Sequence, residues 1–246
     1  MPFTLSHIAA VLPFRKHTPH PLSFTALVIG SMVPDFEYFV RMTLYGHYGH
    51  TLSGIFLFDI PMGLLLYCLY QGIIQVPLVR HLPPFLFARF SNTLIADWRQ
   101  HLRARFLFIM LSLIIGILTH FLWDGFTHDD EYQVARYIPV LLKTVPFKGY
   151  QLPVHFILQI LSSIVGLIII FFWMLWQPRQ ATQSLPPAQI ARFWFLVIAG
   201  TLLIGYLRYL AGIPNEKLFF QYIVISISAF LLSLLLVCIY YRLGNK

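Results

Sequence analysis

The chain has 246 residues, of which 58% are hydrophobic and 11% charged, with a mean hydropathy of +0.73. That balance excludes an ordinary soluble domain and makes lipid the natural solvent of the chain. The formal charge of +8 is carried by cations scattered between apolar segments, which excludes a basic nucleic-acid stripe and points to membrane topology.

In chain order, residues 1–14 carry no leading positive charge and only a short apolar stretch before Arg15 and Lys16, unlike a cleavable signal peptide, so the mature chain is expected to begin near Met1. Residues 22–40 are apolar for only about a dozen positions before Pro34, Asp35 and Glu37, which predicts a half-helix. Five later segments, 52–74, 104–124, 152–176, 193–210 and 218–241, are each long enough to cross roughly 30 Å of hydrocarbon at helical rise. The expected fold is therefore an all-α bundle of about five or six transmembrane helices. Residues 1–176 would carry the site and 177–246 a supporting helix pair, joined by the Gln, Pro, Ser and Thr of 177–187.

Orientation follows the short connections. The 80–105 segment holds Arg80, Arg89, Arg99, Arg103 and Arg105 against Asp97, which marks it as cytoplasmic and places 125–151 outside. Within it, Phe85, Phe87, Phe90, Leu94 and Trp98 recur at near-helical spacing, as in an interfacial amphipathic helix. Cys68 and Cys238 lie inside apolar runs and predict neither a disulfide nor a thiolate metal site.

Ionisable groups at membrane depth cost about 2.5 to 3.5 kcal/mol each, so each asks for a partner or a purpose. Here they gather in the first 130 residues. His120 and Asp124 are four apart, on one helical face, and can converge on one ion; His128 extends that face. A second group is Gly46-His47-Tyr48-Gly49-His50-Thr51, where His50 stands at a helix edge and His47 fits a turn as well as a ligand. A third is Pro34-Asp35-Phe36-Glu37, with Asp35 read as a ligand and Glu37, on nearly the opposite side, as the base or a supporting group. Asp59 lies two turns below His50, beside Pro61, and is read as hydrogen-bonding freed backbone. Imidazole and carboxylate together suit a divalent ion, Zn first, with Mn or Fe as alternatives, and an open position on it would hold a hydrolytic water.

The order Thr4-Leu5-Ser6-His7, Pro34-Asp35-Phe36-Glu37, His47-Tyr48-Gly49-His50-Thr51 and His120-Phe121-Leu122-Trp123-Asp124 resembles the bacterial membrane-bound metal-dependent hydrolases. The whole chain looks more closely like a bacterial membrane family known only as a domain of unknown function. More remotely, the ligand order is similar to the zinc-dependent phospholipase C and P1 nuclease group. The resemblance implies His7 as a further ligand, a phosphoester or lipid-linked substrate, membrane lipids but not nucleic acid as partners, and a place in the bacterial inner membrane. Two departures stand out: Glu37 replaces an Asp, and Gln159 stands where a second His-x-x-x-Glu would end after His155. If 22–40 spanned fully, His7 and Asp35 would lie on opposite faces, so a shared ion requires this stretch to be re-entrant. The competing readings are a transport or proton-relay protein, in which Asp59 matters as much as Asp124, and a structural polar core.

Overall fold

A computed structural model describes residues 3–17, 22–128, 137–214 and 217–244. It contains five helices long and apolar enough to cross a membrane: α1 (Leu52–Arg80), α2 (Trp98–Thr127), α3 (Val154–Trp176), α4 (Pro187–Leu210) and α5 (Leu218–Leu243). The shortest has 23 residues, about 35 Å at helical rise, so every one exceeds the hydrocarbon thickness. The protein is an all-α polytopic membrane protein.

Two of these helices depart from the ideal form for local reasons. α1 contains π-helical turns at Ile55–Asp59 and Tyr70–Ile74. A proline ring crowds the carbonyl four residues back, and for Pro61 and Pro77 that residue, Leu57 or Ile73, falls inside a π turn. α2 begins earlier than its apolar core suggests and bends at Arg105, whose φ of −122° and ψ of 20° are not helical. Asp97 starts it by accepting the Gln100 N–H at 2.9 Å.

The 22–40 stretch does not span. It breaks into a helix Phe24–Gly30, a 3-10 turn Val33–Asp35 and a helix Phe36–Arg41. Seven residues in the first piece rise only about 10 Å, so the half-helix expectation holds. The interfacial helix is shorter than its aromatic spacing implied, covering Pro84–Phe90 before a 3-10 turn at Ser91–Thr93.

The chain divides into two compact units, neither of them continuous in sequence. The first comprises Met1–Asp35, His47–Leu64 and Leu102–Trp173. Here Phe24–Gly30 packs on α2 through two glycines: a Cβ on Gly30 would fall 2.3 Å from the Leu113 carbonyl oxygen, and one on Gly116 would fall 2.4 Å from that of Leu27. Only glycine permits this crossing. The Ser23 N–H donates to Ser112 Oγ at 2.9 Å and fixes the helix start on the same neighbour. The N-terminal 3-10 helix Thr4–His7 rests on α3, where the Phe3 N–H donates to Ser163 Oγ at 3.1 Å. This unit also carries an antiparallel hairpin, β1 (Thr144–Phe147) with β2 (Tyr150–Pro153), closed by Lys148 and Gly149 at φ of 47° and 84°. Two successive positive φ values are what a two-residue hairpin turn demands. Residues 129–136 of the same connection lie outside the described residues.

The second unit comprises Phe36–Gly46, Leu65–His101 and Met174–Lys246. Phe193, Val197, Leu234 and Cys238 form its buried core between α4 and α5. Ser233 Oγ donates to the Val197 carbonyl at 2.7 Å and faces Gly200, which leaves room for it.

Candidate metal centre

Each polar side chain of the first unit's cluster is delivered by a specific local feature. Thr51 caps α1: its Oγ1 accepts the Gly54 N–H at 2.9 Å, which sets His50 immediately before the first turn. Gly49 brings that loop onto the Pro34–Asp35 turn, since a Cβ there would lie 2.2 Å from the Pro34 carbonyl oxygen. His120 and Asp124 project from one face of α2, and His7 comes from the end of Thr4–His7.

These residues meet. His120 Nε2 lies 3.2 Å from Asp124 Oδ2 and 3.9 Å from Asp35 Oδ1. His50 Nε2 lies 3.3 Å from Asp35 Oδ1 and 3.8 Å from Asp124 Oδ2. His7 Nε2 stands 3.4 Å from Asp124 Oδ1, and its ring stacks on that of His120 with centroids 4.0 Å apart. Ligand atoms of His7, Asp35 and His120, and separately of His50, His120 and Asp124, fall within 4.8 Å of one another. His7, Asp35, His120 and Asp124 are buried and His50 nearly so.

The surroundings orient the donors. His120 Nδ1 donates to the Ser31 carbonyl at 2.9 Å, which turns Nε2 toward the cluster. Thr4 Oγ1 donates to Asp35 Oδ2 at 2.5 Å and leaves Oδ1 pointing inward. Burial, reinforced by the neighbouring His120, holds His7 down to about 3, so it is a neutral imidazole at neutral pH. Among the described residues, His7 Nε2, Asp35 Oδ1, His120 Nε2 and Asp124 Oδ1 are buried with no hydrogen-bond partner. These atoms contact only at ion-pair distances inside the cluster, and imidazole and carboxylate atoms gathered this closely fit a cation between them. Two carboxylates supply the charge that a divalent ion would balance, and three imidazoles would complete a nitrogen and oxygen donor set of the kind that Zn, Mn or Fe takes.

The remaining sequence-derived residues fall elsewhere. His128 sits at the edge: its Nδ1 is 3.7 Å from Asp124 Oδ1, and its Nε2 accepts from Gln159 Nε2 at 3.0 Å. Burial lowers its pKa. His47 is exposed and belongs to neither ligand group. Glu37 is buried in the second unit, where its Oε1 accepts from Arg41 Nε at 3.0 Å. Asp59 is buried at the end of the first π turn of α1. Sequence reasoning missed Thr4, Ser31 and Gln159 as orienting groups. The Ser31 contribution is a backbone carbonyl, which no side-chain pattern announces.

The fold and the cluster thus define a polytopic membrane protein with a buried His/Asp centre. Residues 1–239 match the family described as domain of unknown function (DUF4184), and the chain belongs to it. No curated protein and no solved structure matches the chain.

Proposed function

We propose that the His/Asp cluster is a divalent metal site, with Zn as its first candidate ion, and that the protein is a membrane-embedded hydrolase acting on a phosphoester or another lipid-linked bond. The observation that carries this is the convergence of imidazole and carboxylate atoms from positions 7 to 124 of the chain, within 4.8 Å of one another in each of two sets that share His120. His7, Asp35, His50, His120 and Asp124 would hold the ion, which would supply a Lewis acid and a water acidified toward neutrality.

His120 presents Nε2 to the cluster because its Nδ1–H donates to the Ser31 carbonyl, and Asp35 is held by the Thr4 hydroxyl. We assign the proton-accepting role to His128, which is 23% exposed beside Asp124 and has its ring fixed by Gln159. The order of the motifs, which resembles that of the membrane-bound metal-dependent hydrolases, supports a hydrolytic over a purely structural role. The same resemblance supports a bacterial plasma-membrane location.

The test is metal analysis of detergent-purified protein followed by turnover of a chromogenic phosphodiester, bis(p-nitrophenyl) phosphate, and of short-chain phospholipids. Close to one ion per chain, with hydrolysis abolished by Asp124→Asn and by chelation, is the expected result. Stoichiometric metal without hydrolysis of any such substrate would leave the site and remove the reaction. Absence of metal from the wild type after Zn, Mn and Fe supplementation would remove both.

A further inference from the structure

The second unit holds a cavity of about 870 Å³ that the His/Asp centre does not use. Its wall is built where three membrane helices end: the last turns of α1, the first turn of α2 and the last turn of α5. Arg80, Arg99 and Arg242 line it, one from each helix. Among the described residues, none of the three has a carboxylate oxygen within 4.0 Å. The one acid on the wall, Asp97, caps α2 at the Gln100 N–H. Arg242 spends its Nε–H on the Gly72 carbonyl at 3.2 Å, which fixes the side chain and keeps its terminal N–H groups for another acceptor.

The rest of the wall is of a different kind. Leu69, Ile73 and Val76 line it from α1, at positions that continue into the membrane-crossing part of that helix. Trp98 and Tyr241 add amphipathic rings of the sort that sit at head-group depth, and the Arg99 guanidinium lies 5.7 Å from the Trp98 ring centroid. Three cations against one occupied acid call for an anion, and guanidinium is the cation best shaped for phosphate oxygens. An apolar wall beneath them calls for a chain attached to that anion. The volume lies within the roughly 300 to 1,000 Å³ of ordinary ligand sites.

We infer that this cavity binds the head group of an anionic membrane phospholipid, with the phosphate among Arg80, Arg99 and Arg242 and the start of an acyl chain along α1. Juxtamembrane cations attract anionic lipid generally. What distinguishes this site is that the three cations line one half-open cavity together with apolar residues of α1. The inference is independent of the metal centre.

The experiment uses full-length protein in a neutral detergent, titrated with phosphatidylglycerol or with phosphatidylcholine. Bound lipid is counted by native mass spectrometry, and Trp98 emission is followed against a Trp98→Phe control. The expected outcome is one retained phosphatidylglycerol per chain, with at least tenfold weaker retention of phosphatidylcholine. Arg80→Gln/Arg99→Gln/Arg242→Gln lowers phosphatidylglycerol retention at least tenfold, whereas Arg103→Gln, outside the cavity, changes it less than twofold. Arg99→Gln alone serves if the triple variant does not fold.

Equal retention of the two lipids, or equal loss in the Arg103 variant, would overturn the proposal in favour of nonspecific surface charge. Displacement of bound phosphatidylglycerol by millimolar inorganic phosphate would overturn it in favour of a free-anion site. No displacement supports the lipid.

Discussion

The crossing of helix Phe24–Gly30 over α2 positions the His/Asp cluster, and it can be perturbed without touching a residue of that cluster. Gly116→Ala places a Cβ 2.4 Å from the Leu27 carbonyl oxygen and 2.7 Å from the Ser31 nitrogen, where ordinary contact begins at 3.4 Å. Both neighbours are backbone, so the half-helix must retreat by about 1 Å, at an overpacking cost of about 1 to 3 kcal/mol. Ser31 moves with it. Its carbonyl now accepts from His120 Nδ1 at 2.9 Å, and a retreat of that size takes the pair beyond hydrogen-bond range. Losing an orienting partner of a metal-bound imidazole lowers metal affinity by about 10- to 100-fold. Competition with a chromogenic chelator measures the affinity, and thermal unfolding in detergent measures the stability. Wild-type affinity and an unchanged Tm in Gly116→Ala would refute the claim that this close crossing positions the centre.

Four further substitutions separate the roles assigned to neighbouring residues. Thr4→Val removes the hydroxyl that donates to Asp35 Oδ2 and is expected to weaken metal binding by about 10- to 100-fold in the chelator assay. His47→Ala should leave metal content unchanged, because His47 is exposed and in neither ligand group. Gly49→Ala, two residues away, should lower metal content, because its Cβ would meet the Pro34 carbonyl oxygen and push the loop that carries His50 away from Asp35. Gln159→Leu removes the donor to His128 Nε2; on the role given to His128, phosphodiester turnover falls about tenfold or more while metal content by elemental analysis stays at the wild-type level.

Most of the fold could be read from hydropathy, because a lipid solvent imposes long apolar runs and leaves little choice of architecture. The break in 22–40 was equally legible, since Pro34, Asp35 and Glu37 interrupt an apolar stretch too short to span. His120 and Asp124 were visible as a pair because helical spacing alone places them together. The meeting of His7 and Asp35 was not decided by sequence: it turns on how the chain folds back between residues 7 and 35, and no local pattern specifies that return. The Gly30 and Gly116 crossing belongs to the same class, since each glycine has meaning only beside a helix far away in sequence. The hairpin at 144–153 was missed for another reason. Its two strands are four residues each, too short to show an alternating pattern, and the Lys148-Gly149 turn lacks the more familiar Asn-Gly signal.

X-ray absorption at the metal edge of Zn-loaded protein tests the central claim most directly. The account predicts about one ion per chain in a shell of nitrogen and oxygen only, at about 2.0 to 2.2 Å, with imidazole scattering that falls in His120→Ala. A sulfur shell near about 2.3 Å, which would implicate Cys68 or Cys238, or an ion whose surroundings are unchanged in His120→Ala, would contradict it.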